Sequence, residues 1–210
     1  MPEVAVSNFS PEVDSPEDKL LRRLQSIVNG YLDNEQVDAI VRAFHFGADA
    51  HSGQFRKSGE AYICHPLSVA ITLAEMHMDA RGIIAAILHD VIEDTAVEKE
   101  QITEEFSEEV ADLVDAVTKL TKLDNKSRAE AQAENVRKML LAMAKDLRVI
   151  IVKLADRLHN MQTLGAMPIE KKRRIAKETQ EIYVPLANRL SMNSIRHQLE
   201  GLCFESIHPH

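Results

Sequence analysis

The sequence has no tryptophan, two cysteines, and only seven glycines and seven prolines in 210 residues. Two cysteines, Cys64 and Cys203, are too few for a disulfide framework, so they read as small packing residues with reduced thiols. Helix breakers are scarce, while Ala, Leu, Glu, Lys and Met are plentiful, and a chain of that composition reads as all-α. No apolar run approaches the roughly 18 residues a membrane-spanning helix needs. The longest, "VIIVKLA" at 149–155, is interrupted by Lys153. No secretory leader pattern precedes the first helix, because residues 1–18 are polar, acidic and proline-bearing. A cytoplasmic protein without a membrane partner is expected. Positive charge is also short: the net charge is −8. That argues against general nucleic-acid binding. It leaves room for a small anionic substrate, since a local basic patch or a metal can override the overall sign.

What the chain does have is 45% apolar residues at helical spacing, enough for one compact core. Residues 1–18 read as a flexible arm. Leu20, Leu21, Leu24, Ile27 and Val28 mark a first helix ending near Gly30, and Val37, Ile40, Val41, Phe44 and Ala48 mark a second. Residues 51–66, "HSGQFRKSGEAYICHP", form a loop whose Pro66 suits the first turn of the next helix. One helix is expected over 80–93, then two short ones at 98–105 and 107–119, the latter capped by Ser107. The polar loop "DNKSRAE" leads to a helix at 129–144. Asp146 caps a helix running to Thr163 with Gly165 as its stop, and residues 169–205 are helical with a kink at Pro185.

Within this pattern "AAILHDVIEDT", residues 85–95, places four ionisable groups in an oily segment. On a continuous helix Glu93 lies four residues after His89, and Asp94 four after Asp90, so the two pairs would form adjacent stripes. Buried charges survive when paired or when they hold a metal. His89 and Asp90 together offer imidazole and carboxylate donors, which suit a first-row divalent ion. Two residues rarely suffice, and "CHP" adds His65 while "VKLADRLHNMQT" adds Asp156, a polar residue where the pattern wants an apolar one. Asp156, Asn160 and Thr163 share a helix face. His159 reads as a packing histidine.

"RKSGEAYICHP", "LHDVIEDT", "VTKLTKL", "NVRKMLLAMAKDLRVIIVKLADRLHNMQTL" and "ETQEIYVPLANRL" resemble, over residues 19–205, the N-terminal hydrolase domain of the RelA/SpoT-type alarmone enzymes, most closely the SpoT or bifunctional Rel branch. The resemblance implies an all-α, single-domain HD hydrolase fold. It implies removal of the 3′-diphosphate of ppGpp or pppGpp with one Mn²⁺ ion per site. It implies His65, His89, Asp90 and Asp156 as metal ligands, and Glu93 and Asp94 as the catalytic pair acting on the attacking water. Arg56, Lys57, Ser58, Asn160 and Thr163 would contact the guanosine nucleotide. A synthetase domain and regulatory domains would follow residues 206–210 in a longer protein. Ala61, Gln162, Asn188 and Ser191 depart from the family's usual proline, arginine, histidine and glycine. Two rival readings stand beside it: an HD-type phosphohydrolase for another nucleotide, and a catalytically silent nucleotide-sensing domain. The intact HD and ED pairs favour an active enzyme.

Overall fold

The computed structural model describes residues 14–124 and 145–208, together with residues 137, 139 and 141. Its described residues form an all-α domain, interrupted only by an isolated antiparallel bridge between Phe55 and Ala61. The elements are α1 (Pro16–Val28), α2 (Asn34–Ala50), α3 (Cys64–Glu75), α4 (Ala80–Leu88), α5 (Val91–Asp94), α6 (Lys99–Glu105), α7 (Glu108–Asp124) and α8 (Leu147–Gln162). A 3₁₀ turn at Leu164–Ala166 leads to α9 (Ile169–Glu178), a π turn at Thr179–Tyr183, α10 (Val184–Arg189) and α11 (Asn193–Ile207). Most of the helix expected over 129–144, and the loop before it, lie outside the described residues.

Capping chemistry sets many of the boundaries. Ser15 accepts from the Asp18 amide at 3.2 Å, so α1 begins at Pro16, inside the stretch the sequence assigns to the arm. Asp33 and Gln36 form a reciprocal capping box at α2. Asp79 accepts from Gly82 at α4, Ser107 from Val110 at α7, and Asp146 from Arg148 at α8. Ser191 ends α10 with a φ of 56°. That is the left-handed region, which explains a glycine there in the family, and serine costs about 1–2 kcal/mol for adopting it.

The centre of the molecule is α3 packed between α1, α4 and α8, with α2 and α7 closing on α4. Every residue of α4 except Arg81 is buried. Leu67, Leu73, Ile83, Ile87, Leu88, Ile150 and Leu154 are fully buried, each favourable by roughly 1.5–3 kcal/mol. This mass of apolar packing holds a few polar side chains rigidly at its edge.

Two expectations are corrected. The helix predicted over 80–93 breaks at His89–Asp90, where α4 ends and the single turn of α5 begins. The amides of Glu93 and Asp94 both bond back to the Asp90 carbonyl, at 3.1 and 2.9 Å. The HD and ED pairs therefore sit on either side of a break, not along stripes of one helix. The irregularity assigned to Pro185 is carried by the π turn ahead of it; Pro185 itself occupies the first turn of α10, where its missing N–H is harmless.

Candidate active site

The loop between α2 and α3 is shaped by a tight turn. Arg56 N–H bonds the Glu60 carbonyl at 2.9 Å, and Gly59, at φ 88°, supplies the left-handed residue that reverses the chain. The paired amide on the return strand is that of Tyr62, bonding Gln54. The Ala61 amide takes no part in this pairing, so alanine or proline there leaves it intact. The turn carries Arg56 back over α8 and leaves Lys57 and Ser58 exposed. Arg56 donates to Asn160 Oδ1 at 3.0 Å and to Thr163 Oγ1 at 3.4 Å. The structure thus brings together three of the five residues expected to contact substrate.

Below Arg56, three buried side chains from three elements converge. His65 stands at the start of α3, His89 at the end of α4 and Asp156 in the middle of α8. Their donor atoms all lie within 4.8 Å of one another, and these residues could hold a metal ion. His65 Nε2 is 3.1 Å and His89 Nε2 is 3.8 Å from Asp156 Oδ1. Asp90 approaches from the side, its Oδ1 3.2 Å from His89 Nε2 and its Oδ2 3.9 Å from His65 Nε2.

The donor chemistry fits a divalent cation. His89 Nδ1 lies 2.7 Å from the Ala86 carbonyl, which can only accept, so Nδ1 carries the hydrogen. Nε2 of the same ring is buried without a hydrogen-bond partner and faces the carboxylates. Its 3.2 Å approach to Asp90 is an electrostatic contact without hydrogen-bond geometry. Two imidazole nitrogens and carboxylate oxygens suit several first-row ions.

The protonation energetics describe the same site without its ion. Burial and like charge oppose ionisation, yet the partners dominate. Burial disfavours His89 as a cation, but Asp90 and then Asp156 raise its pKa well above the ordinary value. Burial would raise Asp90, but His89 brings it down to about 2. Asp156 likewise falls well below the usual range, with Lys153 and the two histidines outweighing burial. His65 is lowered, mainly by burial. The charge on Lys153 and a proton on His89 together offset the carboxylates.

A pH dependence follows. A raised His89 pKa contributes stability that is complete below the unfolded value of about 6.5 and is lost as pH rises through the folded value. A divalent ion must displace that proton, so its affinity weakens by up to about tenfold, about 1.4 kcal/mol, per pH unit below the His89 pKa. At fixed ion concentration the ion-induced rise in Tm should grow with pH, by about 3–6 °C per unit in this range. Thermal melts between pH 6 and 8.5, with and without Mn²⁺, check it; a rise in Tm that shrinks with increasing pH would contradict the assignment.

Three residues of the site escape sequence reasoning. Lys153 is 4% exposed and its Nζ lies 3.1 Å from Asp156 Oδ2, leaving Oδ1 turned to the histidines. A lysine three residues before an aspartate inside an apolar helix is a legible signal. Tyr62 donates its single hydroxyl proton between Asp90 Oδ2 at 2.8 Å and Asp94 Oδ2 at 2.9 Å, and its ring stacks on His51. His159, expected to be a packing residue, is instead half-buried in the site. Its Nδ1 lies 2.7 Å from His65 Nδ1 and 3.3 Å from Arg56. Burial, then His65 and Arg56, bring its pKa down to about 4, which keeps it neutral. Of the ED pair, Glu93 is half-buried and Asp94 is exposed. Tyr183, by contrast, is a packing residue: it is fully buried, with the Arg157 guanidinium 4.1 Å above its ring.

Among the described residues no helix is long and apolar enough to cross a membrane. A family model described as HD domain matches residues 43–193. The chain is 57% identical over 162 residues to a guanosine-3′,5′-bis(diphosphate) 3′-pyrophosphohydrolase of Haemophilus influenzae, a match covering 77% of this chain and 24% of the relative. It is 50% identical over 190 residues to the bifunctional (p)ppGpp synthase/hydrolase SpoT of Escherichia coli, covering 90% of this chain and 27% of that protein. The chain thus spans about a quarter of the length of these relatives. Among solved structures, one described as a metazoan ortholog of SpoT that hydrolyzes ppGpp superposes with a TM-score of 0.57 at 23% identity, over 83% of this chain and 96% of that one. At that identity the likeness speaks for the fold.

Proposed function

The chain belongs to the HD-domain family, and from that premise we propose that it is a Mn²⁺-dependent pyrophosphohydrolase of ppGpp and pppGpp, releasing pyrophosphate and leaving GDP or GTP. The observation that carries the proposal is the convergence of His65, His89 and Asp156 directly beneath Arg56, Asn160 and Thr163. A metal-type donor set and a nucleotide-type donor set meet at one place. The names of the relatives point to the same substrate, and the active setting would be the cytoplasmic stringent response. In a longer protein, a synthetase domain would be the neighbour, as the E. coli relative's name implies.

In this reading His65, His89, Asp90 and Asp156 hold the ion. A bound Mn²⁺ supplies Lewis acidity, lowering the pKa of water and offsetting diphosphate charge. Tyr62 fixes Asp90 and Asp94 relative to each other through one shared proton. Glu93 takes the proton of the attacking water, and Asp94 orients it. Arg56 leaves its contacts on α8 to stack on guanine or fork onto phosphate, with Lys57 as a point charge and Ser58 as a hydroxyl partner from the same turn. Asn160 and Thr163, released by Arg56, then present their polar groups to the nucleotide.

The test is direct. The purified chain with Mn²⁺ and ppGpp should release pyrophosphate and GDP; EDTA should stop it and excess Mn²⁺ restore it. A panel with Mg²⁺ and Fe²⁺ ranks the ions. Binding of ppGpp with no turnover under any ion would replace the enzyme with a sensing domain. Turnover of other nucleotides in preference to ppGpp would replace the substrate.

A further inference from the structure

We propose that Gln54 is a positioning residue: its side-chain amide ties the backbone of the turn that carries Arg56 to the main chain of Asp94, so that the nucleotide-binding turn and the turn bearing the catalytic pair keep one fixed relation. The kinetic consequence rests on the reaction proposed above; the tie itself does not.

Helix α5 is a single turn, too short to satisfy its own ends. Its start is secured, because the Glu93 and Asp94 amides bond the Asp90 carbonyl. At its end the chain leaves the helix at once, with Thr95 extended at φ −134° and ψ −177°. Gln54 Nε2 donates to the Asp94 carbonyl at that end, at 3.0 Å, from 40 residues earlier in the chain. Gln54 is itself anchored. Its N–H bonds the His51 carbonyl and its carbonyl accepts from the Tyr62 amide, both at 3.0 Å. Its side-chain Oε1 lies 3.0 Å from His51 Nδ1, and His51 is 3% exposed with its ring stacked on Tyr62. The sense of the amide follows from its partners. A backbone carbonyl only accepts, so the nitrogen end faces Asp94 and the oxygen end faces His51.

The tie completes a bracket. The Tyr62 hydroxyl reaches the Asp94 carboxylate at 2.9 Å. Gln54 and Tyr62 are paired across the turn, so one two-stranded piece holds Asp94 by its side chain and by its main chain. A single hydrogen bond leaves rotation about it free; two to the same residue do not. The Arg56 side chain can leave α8 for a nucleotide while the backbone two residues before it keeps α5 in place. Misplacing a catalytic group by about 1 Å can cost on the order of a hundredfold in rate.

Gln54→Met, made in the full chain, keeps length and volume but removes both the donor and the acceptor. Steady-state kinetics with Mn²⁺ and ppGpp should give a kcat about 10–100-fold lower, with KM close to the parent's. Mn²⁺ affinity, titrated calorimetrically without nucleotide, should match the parent, and Tm should fall by only about 2–4 °C, the worth of one hydrogen bond. A merely structural role would raise KM through a displaced Arg56 turn and leave kcat alone. Amide hydrogen exchange, read residue by residue by NMR, needs no turnover. The Glu93, Asp94 and Thr95 amides should exchange about 2–10-fold faster in Gln54→Met, while amides in the centre of α4 keep the parent rate. An unchanged kcat, or exchange at α5 equal to the parent's, overturns the role of Gln54. A parent that hydrolyses no ppGpp refutes the proposed reaction instead, and the exchange rates then decide the tie by themselves.

Discussion

Asp156→Asn is expected to abolish Mn²⁺ binding and hydrolysis while leaving a folded protein. Both imidazoles approach one and the same Asp156 oxygen, His65 at 3.1 Å and His89 at 3.8 Å. Asparagine keeps the shape but removes the charge that attracts a cation. A hundredfold or greater loss of affinity is expected, together with loss of pyrophosphate release. Stability should fall as well. Lys153 is buried against Asp156 Oδ2, and Asn160 donates to Oδ1 at 2.7 Å. Removing one partner of a buried pair costs about 3–5 kcal/mol, because the other charge stays in the core. For a chain of this size that is about 6–20 °C in Tm. A second variant separates the two losses. Adding Lys153→Met to Asp156→Asn removes the buried cation that faced Asp156, so Tm should recover in part while Mn²⁺ affinity does not. Titration calorimetry and thermal melts on the two proteins decide it. Mn²⁺ affinity retained by folded Asp156→Asn would remove Asp156 from the metal site.

Much of this arrangement can be read from patterns, and the remainder has identifiable physical causes. Asp156 stands out because helix α8 is otherwise an apolar stripe at that level, and a charge there demands a partner. The continuous helix expected over 80–93 fails for an equally clear reason. Ile87, Leu88 and Val91 are all buried, so apolar spacing runs straight across the break and periodicity cannot detect it. The break matters: it turns His89 so that its Nδ1 reaches the Ala86 carbonyl and its Nε2 points at Asp156. The kink was traced to proline because proline is the visible cause, whereas the π turn at 179–183 leaves no comparable mark in the sequence. His159 and Tyr62 were beyond reach for a third reason. Their partners are distant in the chain: His65 lies 94 residues from His159, and Asp90 28 from Tyr62. Nothing local distinguishes a histidine packed in the core from one that stands against His65; only the tertiary contact does. The search for further donors reached His65 and the resemblance reached the "RKSG" turn, but neither showed that Arg56 rests on Asn160 and Thr163.

Glu93→Gln should separate chemistry from metal binding. The ED pair is geared to the metal site through backbone, since the amides of both residues bond the Asp90 carbonyl. The two carboxylates are not equivalent. Asp94 accepts the Tyr62 hydroxyl, which holds its carboxylate in place. In the proposed mechanism Glu93, half-buried on α5, takes the proton, and Asp94, held by Tyr62, orients the water. Glutamine preserves the volume and hydrogen-bonding reach of Glu93 but cannot take a proton. A lost general base is expected to lower kcat by about 10²–10⁴-fold. Mn²⁺ affinity, KM for ppGpp and Tm should all stay close to the parent. Asp94→Asn should lose less in kcat, because water stays polarised and Glu93 remains. Steady-state kinetics with parallel Mn²⁺ titrations provide the comparison. If Asp94→Asn proves the more damaging, the roles are exchanged. If Glu93→Gln weakens Mn²⁺ as strongly as Asp156→Asn does, Glu93 belongs to the metal shell and the base must be sought elsewhere.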